Sequence, residues 1–169
     1  EAWNFDVSAE YYFSSNGAIT ANVFYKDIKN FTVDTVVNAP EDANGDDILP
    51  LPTFNGIPFN EAVIPINGDS AQVFGFEFGL AQAFTFLPDP LDGLLVNFNY
   101  TYTDADGTVP TGGDITNLRT IALPSSSRHT FNAVLGYEKG PINFRLAGTY
   151  RDKYLDELGD DASSDRFVD

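Results

Sequence analysis

The chain has 169 residues, with 9 Lys and Arg against 25 Asp and Glu, and its formal net charge of −16 argues against nucleic-acid binding. It contains no Cys, hence neither a disulfide framework nor thiol chemistry, and no Met, so it is expected to be cut or processed from something longer with any signal peptide upstream. No run of about 18 apolar residues occurs, which excludes a transmembrane helix.

Apolar and polar residues instead alternate over six stretches, near 3–13, 18–36, 71–86, 94–103, 129–138 and 142–152. In the first, Trp3, Phe5, Val7, Ala9, Tyr11 and Phe13 share one face, and Asn4, Asp6, Ser8, Glu10 and Tyr12 the other. The turn Ser14-Ser15-Asn16-Gly17 leads to the second, which sets Ile19, Ala21, Val23 and Tyr25 against Thr20, Asn22 and Lys26. A long connection follows at about 38–69, acidic and without Lys or Arg. The third stretch sets Phe74, Phe76, Phe78, Leu80, Phe84 and Phe86 against Gly75, Glu77, Gly79, Ala81 and Ala83. Pro88-Asp89-Pro90-Leu91-Asp92-Gly93 is a tight turn into the fourth, where Leu94, Val96, Phe98, Tyr100 and Tyr102 oppose Asn97, Asn99, Thr101 and Thr103.

After a second long connection at about 104–127, Phe131, Ala133, Leu135 and Tyr137 oppose Thr130, Asn132 and Glu138. Lys139-Gly140-Pro141 then turns the chain into Ile142, Phe144, Leu146 and Tyr150, set against Asn143, Arg145, Thr149 and Arg151. A third acidic connection runs from 153 to about 165. Short turns at one end, long loops at the other and an aromatic-rich apolar face on every strand predict an all-β antiparallel meander from the wall of a large transmembrane β-barrel, with the long loops external. All charges within the strands except those at the ends fall on the polar side, as they must where Lys or Arg facing mid-bilayer lipid costs about 2–4 kcal/mol.

Candidate chemistry is sparse. His129, alone of its kind, starts a strand beside Arg128 and faces outward by parity, which favours an interfacial role over catalysis or metal ligation. Ser125, Ser126 and Ser127 fit a proline-serine turn, with no G-x-S-x-G elbow around them. Asp104, Asp106, Gly107 and Asp114 carry part of a calcium-loop pattern, but its 12-residue ligand set ending in Glu is missing. Asp156, Glu157, Asp160 and Asp161 suit a solvated loop better than a cation site. No catalytic residue, metal site or cofactor is expected, and the chain is not expected to be an enzyme. Glu77, Arg145 and Arg151 project toward the lumen, where they either line a substrate path or bond along the inner wall. Phe54 and Phe59 in the first long loop either contact ligand or pack the loop on itself.

The segments VFYKDIKNF (23–31), VFGFEFGLAQAFTFLPDPLDGLLVNFNYTYTDA (73–105) and LPSSSRHTFNAVLGYEKGPINFRLAGTYRDKYL (123–155) resemble, in that order and spacing, the C-terminal half of the barrel of TonB-dependent outer-membrane receptors. The resemblance covers nearly the whole chain. It implies part of a barrel of about 22 strands around a globular plug. It further implies uptake of scarce nutrients (siderophore-iron, cobalamin or glycans) across the outer membrane of a Gram-negative bacterium, with energy from the TonB complex. The partners implied are outer-membrane lipid, the plug, the remaining strands, the TonB complex and a small nutrient ligand. Against that pattern the chain lacks the plug and the N-terminal coupling segment, and it is expected to comprise six strands and the start of a seventh. A passive porin-like or adhesin-like barrel wall is the alternative, and a soluble β-sandwich module a more distant one.

Overall fold

The computed structural model describes residues 1–38, 53–59, 61–111, 114–159 and 162–169. The strands are β1 (Ala2–Ser14), β2 (Gly17–Lys29), β3 (Thr32–Asn38), β4 (Thr53–Phe54), β5 (Ile57–Pro58), β6 (Glu61–Asn67), β7 (Ser70–Ala83), β8 (Leu94–Thr111), β9 (Asp114–Ala122), β10 (His129–Lys139), β11 (Ile142–Arg151), β12 (Tyr154–Glu157) and β13 (Arg166–Val168). Among the described residues the helical content is one 3₁₀ turn, Leu91–Gly93.

The main sheet has the order β1-β2-β7-β8-β10-β11, with β9 paired to the upper part of β8. All these pairings are antiparallel, so the expected six strands form the expected meander. Three boundaries differ from the sequence expectation, the simplest being that the third stretch ends at Ala83 and leaves Phe84 and Phe86 in the turn that follows. The stretch 18–36 is two strands, because Asn30 adopts a left-handed conformation (φ 55°) and turns β3 out of the wall to pair with β6. The fourth stretch does not stop at 103: β8 continues to Thr111 and forms a hairpin with β9. The connections at 38–69, 104–127 and 153–165 thus contain paired strands of their own, namely β3 with β6, β4 with β5, β8 with β9 and β12 with β13.

Register confirms the two faces. Ala9, Ala21, Phe78, Tyr100, Phe131 and Tyr150 are successive neighbours across the sheet on one side. On the other, Ser8, Asn22, Glu77, Thr101, Thr130 and Arg151 form the adjacent row. The aromatic side is stitched by ring contacts, including Phe131 with Tyr150 at 5.0 Å and Phe76 with Tyr102 at 5.5 Å. It is nevertheless uncovered: Trp3 is 72% exposed and Leu146 60%. A continuous apolar face of this extent needs an apolar partner, and lipid is the one that strands with solvated lumenal residues can meet.

From Leu94 to Tyr102 the band spans about 27 Å along β8 at about 3.4 Å per residue, or about 20 Å once tilted, which fits an outer-membrane hydrocarbon layer. Charge appears on that face just above it, where Arg128 donates to Asp104 at 2.8 Å. At the lower margin, Lys139 donates to Asp89 and, at 2.6 Å, to Asp92 Oδ1, tying the turn after β10 to the turn before β8. Tyr137 Oη adds a bond to the Pro90 carbonyl at 2.9 Å.

The hydrogen bonds that Lys139 donates to Asp89 and then Asp92 raise its ammonium from 10.5 to about 12. Hydrogen bonding to Lys139 in turn lowers Asp92 below its usual 3.8. A raised ammonium contributes stability that is intact below pH 10.5 and lost as the pH rises through about 12. A lowered carboxylate contributes above pH 3.8 and is lost as the pH falls through its folded value. In denaturant titrations the gap in midpoint between wild type and Lys139→Met is therefore expected to be widest at intermediate pH and to close at both extremes. The effect is small, since the groups are solvated. A gap independent of pH would show that Lys139 acts through packing alone.

Among the described residues no apolar core lies under the wall. The buried apolar cluster is Val33, Val109, Ile121, Leu155 and Leu158, with Phe31 and Ile66 packed against it. All seven belong to the long connections or to the parts of strands that extend into them.

Candidate functional site

The lumenal face is a ladder of amides and hydroxyls on a low floor. Asn22 donates to Glu77 Oε2 at 3.3 Å, Asn99 to Asn97 Oδ1 at 2.9 Å, and Thr149 to Asn132 Oδ1 at 2.9 Å. Tyr12 donates to Glu10 at 2.6 Å. Glycines keep the floor low: the Thr20 hydroxyl occupies the place of a side chain at Gly79, and the Phe24 ring lies over Gly75. Phe24 is an aromatic on the polar face, and the missing side chain opposite it at Gly75 is what makes room for it.

Glu77 and Arg151 share one cross-strand row but lie three strands apart, about 14 Å at a spacing of about 4.8 Å. They do not meet. Arg151 is held upward instead: its Nε donates to Ser127 Oγ at 2.7 Å, its Nη2 to the Ser125 carbonyl at 2.6 Å, and its guanidinium sits 4.0 Å from the Tyr154 ring centroid. These bonds tie Arg151 to Ser125 and Ser127 of the turn that precedes β10. Arg145 is exposed on β11 opposite Gly136 and has no hydrogen bond or ion pair among the described residues. Phe59 follows β5 and is half-buried, and Phe54 ends β4, its side chain lying outside the description. These five residues do not converge on one point.

The remaining candidates resolve into structure. His129 Nδ1 is 2.8 Å from the Tyr100 hydroxyl, and its ring packs on Tyr100 and Tyr102, an interfacial aromatic cluster on the lipid side. Asp104 and Asp106 lie on the regular strand β8, not on a coiled loop, and Asp104 pairs with Arg128. Asp156 and Glu157 are not merely solvated: Arg166 binds them at 2.6 and 3.2 Å. Asp160, Asp161 and the acidic run 41–47 lie outside the described residues.

The long connections also hold a charged pair that no local sequence pattern reveals. Arg119 on β9 forms a two-pronged ion pair with Asp165, Nη1 to Oδ2 at 2.7 Å and Nη2 to Oδ1 at 2.8 Å. Nη2 also donates to the Gly159 carbonyl at 2.9 Å, and the Gly159 amide donates to Asp165 at 3.0 Å. The available signal was that Arg119 is the one basic residue in the second long connection before Arg128.

An antiparallel meander with an uncovered aromatic band on one face, a polar face on the other and long folded connections is the pattern of an outer-membrane β-barrel wall. The chain matches the family model described as TonB dependent receptor-like, beta-barrel, over residues 1–168, and it belongs to that family of outer-membrane nutrient receptors. No curated protein and no solved structure matches the chain.

Proposed function

We propose that this chain is wall and mouth of an active importer for a scarce nutrient of the siderophore-iron, cobalamin or glycan class, in the outer membrane of a Gram-negative bacterium. A plug fills its lumen, and the TonB complex supplies the energy. Its role is binding and passage, with no catalysis and no cofactor of its own. The observation that best supports this is the division of labour between a wall with an uncovered aromatic face and external connections folded around their own apolar cluster. Exposed Arg145 and the Glu77 carboxylate are available to the plug or to passing ligand, and Phe54 and Phe59 belong to the mouth.

Deleting about 45–60 in the intact receptor is expected to abolish or sharply reduce ligand uptake while heat-resistant barrel assembly persists, because external loops carry recognition and strands carry the fold. The acidic charge of these connections favours cationic or metal-bearing ligands. Undiminished uptake of every tested ligand after shortening both 38–69 and 104–127 would place recognition on the plug.

A further inference from the structure

The buried cluster draws on all three external connections: Val33, Phe31 and Ile66 from the first, Val109 and Ile121 from the second, Leu155 and Leu158 from the third. The Phe31 ring is seated between Gly68 and Gly107, where an added Cβ would approach it to 2.2 and 2.8 Å. Backbone bonds cross the same boundaries, from the Asp69 amide to the Thr108 carbonyl at 2.9 Å and from the Ser125 amide to the Leu155 carbonyl at 2.8 Å. The Arg119 to Asp165 pair closes the far side. Its side chains are 15% and 9% exposed, whereas every other ion pair among the described residues has both partners at least 32% exposed.

We propose that the described strands of the three long connections, β3 with β6, β8 with β9, and β12, form one cooperative cap locked by the Arg119 to Asp165 ion pair, so that they open or stay closed as a single body. A buried pair of this kind is costly to break by removing one partner, because the other charge is left uncompensated. It therefore holds β9 against Gly159 and Asp165 in one arrangement. The shared apolar cluster makes loosening of either connection costly to the other two. The proposal concerns the mechanics of the cap and is independent of which nutrient the receptor takes.

Hydrogen exchange on the intact receptor tests it. In the wild type, β3, β9 and β12 are expected to exchange through one common opening, slower than frayed turns and separate from the wall strands β7 and β10. Arg119→Leu should accelerate exchange in all three by at least about tenfold and leave β7 and β10 unchanged. Arg119→Lys should fall between, since an ammonium keeps the charge but not the fork that spans Asp165 and the Gly159 carbonyl. Acceleration confined to β9, or unrelated exchange rates of β3, β9 and β12 in the wild type, would overturn the proposal. Should Arg119→Leu fail to assemble, Leu158→Ala in the shared cluster poses the same comparison.

Discussion

Replacing Phe98 with arginine is expected to destabilise the assembled barrel by about 2–4 kcal/mol, whereas the same change at the adjacent Asn97 should cost well under half of that. Phe98 lies mid-band, opposite Leu80 and Ala133, with its ring 6.5 Å from Phe78 and 6.4 Å from Phe131. A guanidinium there has no water within reach, and no neighbour in that row carries an acid to pair with it. Asn97 points the other way, exposed on the lumenal face, where the change forfeits one bond from Asn99 and leaves the new charge solvated. Urea titration of both variants in the intact receptor, scored by heat-modifiable gel mobility, measures the difference. Equal losses would refute the assignment of the two faces.

Two glycines should behave in opposite ways. At Gly75 a Cβ would stand 2.4 Å from the Tyr102 carbonyl oxygen and 2.3 Å from the Phe24 ring. Side chains can swing aside, but a ladder carbonyl cannot without breaking register, so Gly75→Val is expected to cost at least about 1–3 kcal/mol or to block assembly. Phe24→Ala in the same chain should rescue it only partly, since the carbonyl contact remains. Gly148 has open space where a Cβ would go and faces lipid between Leu146 and Tyr150, so Gly148→Val should be neutral or mildly stabilising. Folded yield and denaturation midpoint of the three variants provide the comparison. Full rescue by Phe24→Ala would mean that the ring alone limits the site.

The dependence on the Gly75 environment was not visible beforehand, because alternation assigns a residue to a face without saying what stands beside it. Parity placed Glu77, Arg145 and Arg151 on one face, and the strand register puts them on the same side of the sheet. Their separate fates, a hydrogen bond accepted from the Asn22 side chain for Glu77, the serine turn for Arg151 and solvent for Arg145, depend on neighbours supplied by other strands. The break at Asn30 was equally hidden, since 31–36 carries apolar and β-branched residues that suit a continuing strand as well as a new one. The long connections looked structureless because their strands are short and pair with segments outside the local pattern.

What this sequence determined by itself is the wall: six strands, their two faces and their meander order. The physical reason is that lipid imposes the same demand at every outward position, so a two-residue period records facing locally, and short Gly and Pro turns record which strands are neighbours. Tertiary structure alone decided the cap. Val33, Val109, Ile121, Leu155 and Leu158 are too few and too scattered to form a periodic signal. The pair that locks them joins residues 46 apart in sequence, a distance at which burial and charge pairing depend on the folded path of the chain and leave no local trace.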